Sequence, residues 1–146
     1  MRFSISADEE TGVATLIAGA LAERGHEVVA WHGALSDAER DDWAWASEAA
    51  ARDVAGGEAE QAIVACWTGT GAAIAANKVG GVRAALCGDA ATAAGARKWN
   101  DANVLALSLR TTSEALLAEI LDAWLGAEPS AEQDDRDNVA HLGEIR

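Results

Sequence analysis

Short apolar runs alternate with longer amphipathic segments along this chain. The apolar runs are continuous, as in Ala62-Ile63-Val64-Ala65, which is typical of strands buried on both faces of a parallel sheet. The predicted strands are Phe3–Ser6, His26–Trp31, Gln61–Cys66, Val82–Leu86 and Asn103–Leu107. The predicted helices are Thr11–Arg24, Asp41–Ala55, Gly71–Lys78, Asp89–Trp99 and Ser113–Leu125. This alternation predicts a three-layer α/β/α, Rossmann-like (flavodoxin-like) domain with a five-stranded parallel sheet.

The ends of the predicted helices carry suitable residues. Asp89 and Ser113 are good N-caps, and Gly25 follows the first helix, where a glycine commonly ends a helix. The only proline, Pro129, comes after the last helix. We therefore expect a domain over residues 1–126, and a polar acidic tail over 127–146 that packs on the domain or on a partner subunit.

The composition and net charge of the chain exclude several classes of function. The chain has 146 residues, half of them hydrophobic, which suits one domain, and its formal net charge is −13. Such a charge repels phosphate backbones and anionic lipids, so neither nucleic acid nor membrane is an expected partner. The N-terminus lacks the pattern of a signal peptide, which favours the cytoplasm. The two cysteines make no disulfide framework, and no Cys/His cluster has zinc spacing, so we expect no metal.

Ligands of open parallel sheets bind beyond the carboxyl ends of the strands. The residues found there are Asp8 to Glu10, Trp31 and His32, Cys66 to Gly71, Cys87 to Asp89, and Ser108 to Arg110. The third group, Cys66-Trp67-Thr68-Gly69-Thr70-Gly71, places a thiol before a glycine-rich helix start. Such a turn can hold a phosphate or an oxyanion, and can make the thiol a usable base. A dinucleotide motif fits worse, because Ile74 occupies its third glycine position.

Each of these features also has a purely structural interpretation. A cysteine at a buried strand end is more often a small core residue, and a glycine-rich turn can serve tight packing alone. Asp8, Glu9 and Glu10 would also suit the first turn of a helix. Trp43 and Trp45 lie two apart, so only one of them can face the core, and the other is a candidate for a pocket or an interface.

The sequence nevertheless resembles the ribose-5-phosphate isomerase B and galactose-6-phosphate isomerase family from Phe3 to about Gly126. Three stretches carry the resemblance most specifically, namely residues 66–78, 82–87 and 99–107. The resemblance implies a dimer, or a dimer of dimers, with active sites shared between subunits. It also implies a cofactor-free aldose–ketose isomerisation through a cis-enediolate.

Site residues are implied by the same resemblance. Cys66 would move the proton between C1 and C2, with Thr68 as the second catalytic residue. The backbone from Thr68 to Ala73, which includes Gly69, Thr70, Gly71 and Ala72, would hold the enediolate oxygens. Asp8 and Asn100 match residues that bind sugar hydroxyls, and Arg110 matches an arginine that meets the phosphate. Because Trp99 and Asn100 precede the fifth strand, they would reach a catalytic site only in a partner subunit.

Several positions depart from the family pattern. Glu9 stands where a phosphate-binding His is usual, Trp67 replaces a Gly, and Trp99 replaces the His that opens the sugar ring. Trp43 keeps an aromatic position, and Arg136 is the one phosphate-binding arginine that the tail retains. These changes weaken ring opening and phosphate binding, so they favour an open-chain or smaller, even unphosphorylated, sugar. The alternatives are a non-catalytic sugar-binding or regulatory member of the family and, more remotely, a nucleotide or flavin binder.

Overall fold

A computed structural model describes residues 1–37 and 39–145. Its sheet holds five strands, all parallel, in the order β2-β1-β3-β5-β4. The strands are β1 (Arg2–Ala7), β2 (Glu27–Gly33), β3 (Gln61–Cys66), β4 (Ala84–Leu86) and β5 (Val104–Ser108). The predicted five-stranded parallel α/β fold is confirmed. The order differs from the flavodoxin order only in the exchange of the last two strands, which puts β5 beside β3.

The described residues form six α-helices. They are α1 (Ile17–Glu23), α2 (Trp43–Gly56), α3 (Thr70–Asn77), α4 (Ala90–Asn100), α5 (Glu114–Gly126) and α6 (Gln133–Leu142). Of these, α1 to α5 cover the two faces of the sheet, and α6 contacts α4. The side chains of Asp89 and Ser113 cap α4 and α5 by accepting from the N–H groups of Thr92 and Leu116, as predicted. Both caps stabilise helices whose positions follow from the sequence pattern.

The two faces of the sheet are packed with side chains of different size. The face toward α1, α4 and α5 buries large residues, among them Ile17, Leu121 and Trp124. On the face toward α2 and α3 the helices contribute mainly alanine, for example Ala50, Ala72 and Ala76. Small side chains let a helix lie close to the sheet. Groups at the strand ends under α2 and α3 are therefore near the backbone of those helices.

Three elements differ from the sequence prediction. The first helix is split, because a 3₁₀ turn over Gly12–Leu16 precedes α1, and Leu16 is 38% exposed rather than part of the buried face. Gly12 has φ +56° and lies against the carbonyl of Leu109, so the α-helix cannot begin at Thr11 as predicted. The fourth strand is shorter than predicted. The tail forms α6, which buries no residue and so shows no apolar stripe that would have predicted it.

Candidate active site

The carboxyl ends of β1, β3 and β5 meet at one edge of the sheet. Ala7 pairs with Ala65 and Cys66 with Ser108, so the loops that follow start at the same level. Two backbone hydrogen bonds join the loops after β3 and β5, from Leu109 N–H to the Cys66 carbonyl and from Arg110 N–H to the Trp67 carbonyl, both 2.9 Å. The chain leaves β1 and β3 toward opposite sides of the sheet, which opens a crevice between them.

Cys66 ends β3 and lies in the alanine-lined cluster under α3, with 5% of its surface exposed. Cys87 gives a useful contrast at the same edge of the sheet. It is buried in the opposite, large-residue cluster, and burial together with the charge of Asp89 raises the pKa of its thiol to about 11. Cys87 is therefore a core residue, as expected, whereas Cys66 stands beside the turn that begins α3.

The turn after Cys66 depends on a glycine. Gly69 has φ +76°, and a Cβ there would fall 2.5 Å from Leu86 Cδ1 and 2.9 Å from the carbonyl carbon of Leu107. Helix α3 begins next, at Thr70, with no side chain capping it. The first N–H groups of a helix have no partner within the helix, which leaves those of Thr70, Gly71 and Ala72 available to a ligand.

Polar and aromatic side chains surround these free N–H groups. The hydroxyls of Thr68 and Thr70 lie 2.8 Å apart in a hydrogen bond. Trp43 packs on the helix start so closely that a Cβ at Gly71 would be 2.9 Å from Trp43 Cε3. Trp67 is half exposed, and its carbonyl accepts from the Ser108 hydroxyl at 2.9 Å. The result is a partly apolar wall next to the free N–H groups at the start of α3.

Asp8 and Glu9 form an acidic side of the crevice. One carboxyl oxygen of Asp8 is buried and has no hydrogen-bond partner among the described residues. Burial raises the pKa of Asp8 above its ordinary value, and the charges of Glu9 and Asp41 raise it further, against a backbone hydrogen bond that lowers it. An unpaired buried oxygen suits a ligand hydroxyl, since leaving it unpaired costs free energy. Glu9 is exposed and accepts a 3.4 Å hydrogen bond from the Thr11 hydroxyl.

Arg110 supplies a positive charge beside the turn. Its side chain is exposed, and within residues 1–37 and 39–145 its guanidinium makes no ion pair or hydrogen bond. The backbone hydrogen bond to Trp67 holds it at the same edge as Cys66. Among the described residues, an unpaired guanidinium is therefore present at the carboxyl edge, although the chain as a whole carries a net charge of −13.

The remaining predicted site residues lie at the opposite edge of the sheet. Trp99 and Asn100 end α4 just before β5 begins, and Arg136 of α6 lines a cavity of about 340 Å³ together with Trp99. A strand rises about 3.3 Å per residue, so strands of this length separate the two edges by roughly 15–20 Å. One chain therefore does not bring Trp99, Asn100 and Arg136 together with Cys66, which agrees with the topology expected from the sequence.

A polar network near the site was missed by the sequence analysis. His32 was noted only as a residue following the second strand, but it belongs to β2, and both of its ring nitrogens contact carboxylates, those of Asp53 and Glu39. The close contact of Trp43 with Gly71 was also unforeseen. A lone histidine and a helical Asp twenty-one residues away give no pattern that would pair them.

Within the described residues, no helix is long and apolar enough to cross a membrane. The same part of the chain contains no group of three or more His, Cys, Asp or Glu side chains arranged to hold a metal ion.

Comparison with known proteins shows the family. A model of the family described as "Ribose/Galactose Isomerase" matches residues 4–142. Ribose-5-phosphate isomerase B of Escherichia coli (strain K12) is 44% identical over 108 residues, covering 74% of this chain and 71% of that protein. The D-erythrulose-4-phosphate isomerase of Pectobacterium atrosepticum is 49% identical over 72 residues, covering 49% of this chain and 47% of that enzyme.

Solved structures agree with the sequence matches. Ribose-5-phosphate isomerase B of Clostridium thermocellum superimposes with a TM-score of 0.88 at 37% identity, covering 99% of this chain and 97% of that one. The type B enzyme of Trypanosoma brucei gives 0.89 at 38% identity, with 99% and 98% covered. The chain therefore belongs to the ribose/galactose isomerase family.

Proposed function

We propose that this isomerase interconverts an aldose and a ketose by moving a proton between C1 and C2 of an open-chain sugar phosphate. The observation that carries the proposal is the position of Cys66, directly before a helix start whose N–H groups are free and at the same edge as Asp8 and Arg110. A base beside an oxyanion hole is what a reaction through an enediolate requires.

In the proposed reaction, the Cys66 thiolate takes the proton from C2 of the aldose. The electron pair moves into a C1–C2 double bond, and the negative charge goes to the carbonyl oxygen, which the N–H groups at the start of α3 stabilise. The Thr68 hydroxyl passes a proton between the two enediolate oxygens, and Cys66 returns its proton to C1. Atoms and charges balance without any cofactor.

Substrate binding is assigned to the other residues of the crevice. The unpaired oxygen of Asp8 accepts a sugar hydroxyl, and Arg110 pairs with the phosphate. Trp43 and Trp67 cover the apolar face of the carbon chain. Glu9, at the usual place of a phosphate-binding His, repels a dianion, so we place the phosphate at the Arg110 end of the crevice.

A further part of the proposal concerns substrate size. Trp99 cannot donate and accept protons as a ring-opening His does, since an indole has one N–H donor and no acceptor. We therefore expect a substrate that is already open, such as a tetrose 4-phosphate. Support comes from the partial similarity to an enzyme named D-erythrulose-4-phosphate isomerase.

We also propose that the enzyme is a homodimer whose subunits share active sites. Trp99, Asn100 and Arg136 match substrate-binding positions, yet they lie at the far edge of their own sheet. A symmetric dimer would bring that edge to the partner's Cys66. The division into a domain over residues 1–126 and a tail over 127–146 remains a proposal, and the tail supplies Arg136 to this shared site.

The deciding experiment is deuterium exchange from solvent into C3 to C6 aldoses and ketoses, with and without phosphate. We expect exchange and isomerisation fastest with a tetrose 4-phosphate and slow with ribose 5-phosphate. Cys66→Ala should lower the exchange by about 100- to 10,000-fold, the usual contribution of a general base. The matched control is Cys87→Ala, which removes the other buried thiol at this edge and should retain exchange per folded molecule.

The second candidate function is sugar binding without catalysis. It is favoured by the replacement of both family histidines by Glu9 and Trp99. Absence of exchange with the whole panel, together with saturable binding of one of the sugars, would establish it. Full activity of Cys66→Ala would instead overturn the proposed base.

A further inference from the structure

His32 is a largely but not fully buried histidine for which the proposed reaction has no use. It lies near the carboxyl end of β2 with 13% of its side chain exposed. Its Nε2 is 2.7 Å from Asp53 Oδ2 on α2, and its Nδ1 is 2.8 Å from Glu39 Oε2 in the loop between β2 and α2. The same Asp53 oxygen accepts a 2.7 Å hydrogen bond from the Ser4 hydroxyl of β1.

The geometry determines the charge of the ring. Ionised carboxylates only accept hydrogen bonds, so two carboxylates facing two ring nitrogens require both nitrogens to carry protons. Burial by itself lowers the pKa of His32, but the hydrogen bonds and charges of Asp53 and Glu39 outweigh it, and the pKa is raised. The charged groups that face the ring are Asp53 from α2 and Glu39 from the loop, and β1 contributes the neutral Ser4.

The loop that His32 contacts leads directly to the substrate crevice. Asp41 lies close enough to Asp8 to raise the pKa of that carboxyl, and Trp43, the first residue of α2, packs on Gly71. On the other side of Glu39, the chain leaves β2 through Gly33, where a Cβ would fall 2.6 Å from Ala46 Cβ. The Glu39 contact thus ties the middle of the loop to the sheet.

We propose that His32 is a positioning residue that ties the β2–α2 loop, and with it Trp43, against the substrate crevice. That the crevice binds substrate rests on the proposed function. When His32 loses a proton, only one nitrogen can still donate. Asp53 is 22% exposed and also held by Ser4, whereas Glu39 is 41% exposed, so the Glu39 contact breaks first. The loop is therefore tied at low pH and released as the pH rises through the pKa of His32.

The test follows the Trp43 indole N–H resonance, assigned with Trp43→Phe, and the ring nitrogens of His32 in one pH titration. In the wild-type protein we expect the two to titrate with the same midpoint. Glu39→Gln keeps the ring, Asp53 and the packing of α2, but should abolish the response of Trp43. Glu48→Gln is the matched control, because Glu48 is an exposed glutamate of α2 that pairs with Arg52 and should leave the coupling intact.

Kinetics add a second readout. Glu39→Gln should raise KM roughly three- to tenfold, within the range for loss of one typical hydrogen bond, leave kcat nearly unchanged, and flatten the rise of KM with pH. The resonance experiment needs no substrate. If the protein is inactive but its Trp43 resonance titrates with His32, only the proposed function is overturned. If the Trp43 resonance does not respond to the titration of His32, the positioning role of His32 is overturned. An active Glu39→Gln enzyme with the KM of the wild type would also overturn it.

Discussion

The two edges of the sheet carry different parts of the proposed chemistry. The carboxyl edge holds Cys66, the free N–H groups of α3 and the unpaired Asp8 oxygen, the groups to which we assign the proton transfer and its stabilisation. The amino edge holds Trp99 and Asn100 beside the tail helix α6, whose Asp135 and His141 line a cavity together with them. In the proposed function, catalysis and part of the substrate recognition therefore lie at opposite edges of the sheet, too far apart to act within one chain.

Close contacts and fixed backbone conformations nevertheless occur at both edges. Gly69 and Gly71 allow the close contacts at the carboxyl edge. At the amino edge, Asp101 adopts φ +43° to end α4, and the buried Arg97 holds that turn through the Ala102 carbonyl at 2.5 Å. A helix end fixed in this way would suit the proposed contact with a second subunit.

The largest expected effect is the recovery of activity when two inactive variants, one altered at each edge, are mixed as subunits. Cys66→Ala and Asn100→Ala should each be nearly inactive, because each removes one part of every shared site. Heterodimers reassembled from an equal mixture should contain one intact site each, which restores about a quarter of the wild-type activity for a symmetric dimer.

The control for mixing is a pair of differently tagged Cys66→Ala proteins, which should stay inactive after reassembly. Native mass spectrometry would verify that heterodimers form. Heterodimers without activity would contradict shared sites and would indicate that Asn100 serves only the turn after α4.

Gly71→Ala tests the packing of the carboxyl edge. The new Cβ would meet the Trp43 ring at 2.9 Å, so either the indole or the start of α3 must move. Overpacking of this kind costs about 1–3 kcal/mol, and we expect kcat/KM to fall roughly tenfold. The companion variant Gly88→Ala, at the same edge with nothing within 4 Å, should be nearly neutral.

Adding Trp43→Leu to Gly71→Ala sharpens this prediction. If the clash is the cause, the double variant should lose less activity than the sum of the two single changes, because the residues are in contact. Strictly additive losses would contradict a direct effect of Trp43 on the helix start.

The smallest expected effect is on the pH dependence of stability, to which the two histidines at the ends of β2 contribute with opposite sign. Because the pKa of His32 is raised in the folded protein, its contribution to stability is complete below its ordinary pKa of about 6.5 and is lost as the pH rises through the folded value. Burial lowers the pKa of His26, so its effect has the opposite sign and stability falls as the pH drops through about 6.5.

Thermal unfolding of His32→Gln and His26→Gln against the wild type over this pH range would measure both effects. The His32 variant should be less stable by roughly 2–4 °C at low pH, with the difference shrinking as the pH rises. The His26 variant should gain relative to the wild type on acidification. Parallel curves for the two variants would contradict the assignment of opposite shifts.

The sequence pattern predicted the fold best where a single apolar run or a single helix face is enough to define a strand or a helix. Strand β3 was predicted with its observed ends, because four apolar residues stand between polar or glycine-rich neighbours. The caps of α4 and α5 were also predicted. The later start of the first helix was not, because Gly12 lies against the carbonyl of Leu109, which is about a hundred residues away in the chain.

The site was predictable in part for a similar reason. The rule that ligands bind at the carboxyl ends of parallel strands selected Asp8, Cys66 and Arg110 before any contact was known. No local pattern indicated that Trp43 lies on Gly71 or that His32 joins Asp53 to Glu39. Those pairs come from elements whose relative placement depends on the packing of α2 against the sheet.

The sequence by itself thus determined the parallel sheet, the thiol before a glycine-rich helix start, and the loss of two family histidines at Glu9 and Trp99. These are properties of local periodicity and of residue identity. Only the tertiary structure decided which groups are left without partners, such as the Asp8 oxygen, and which edge each site residue occupies. Burial and distance are set jointly by all the packed elements, and no single segment of the chain contains that information.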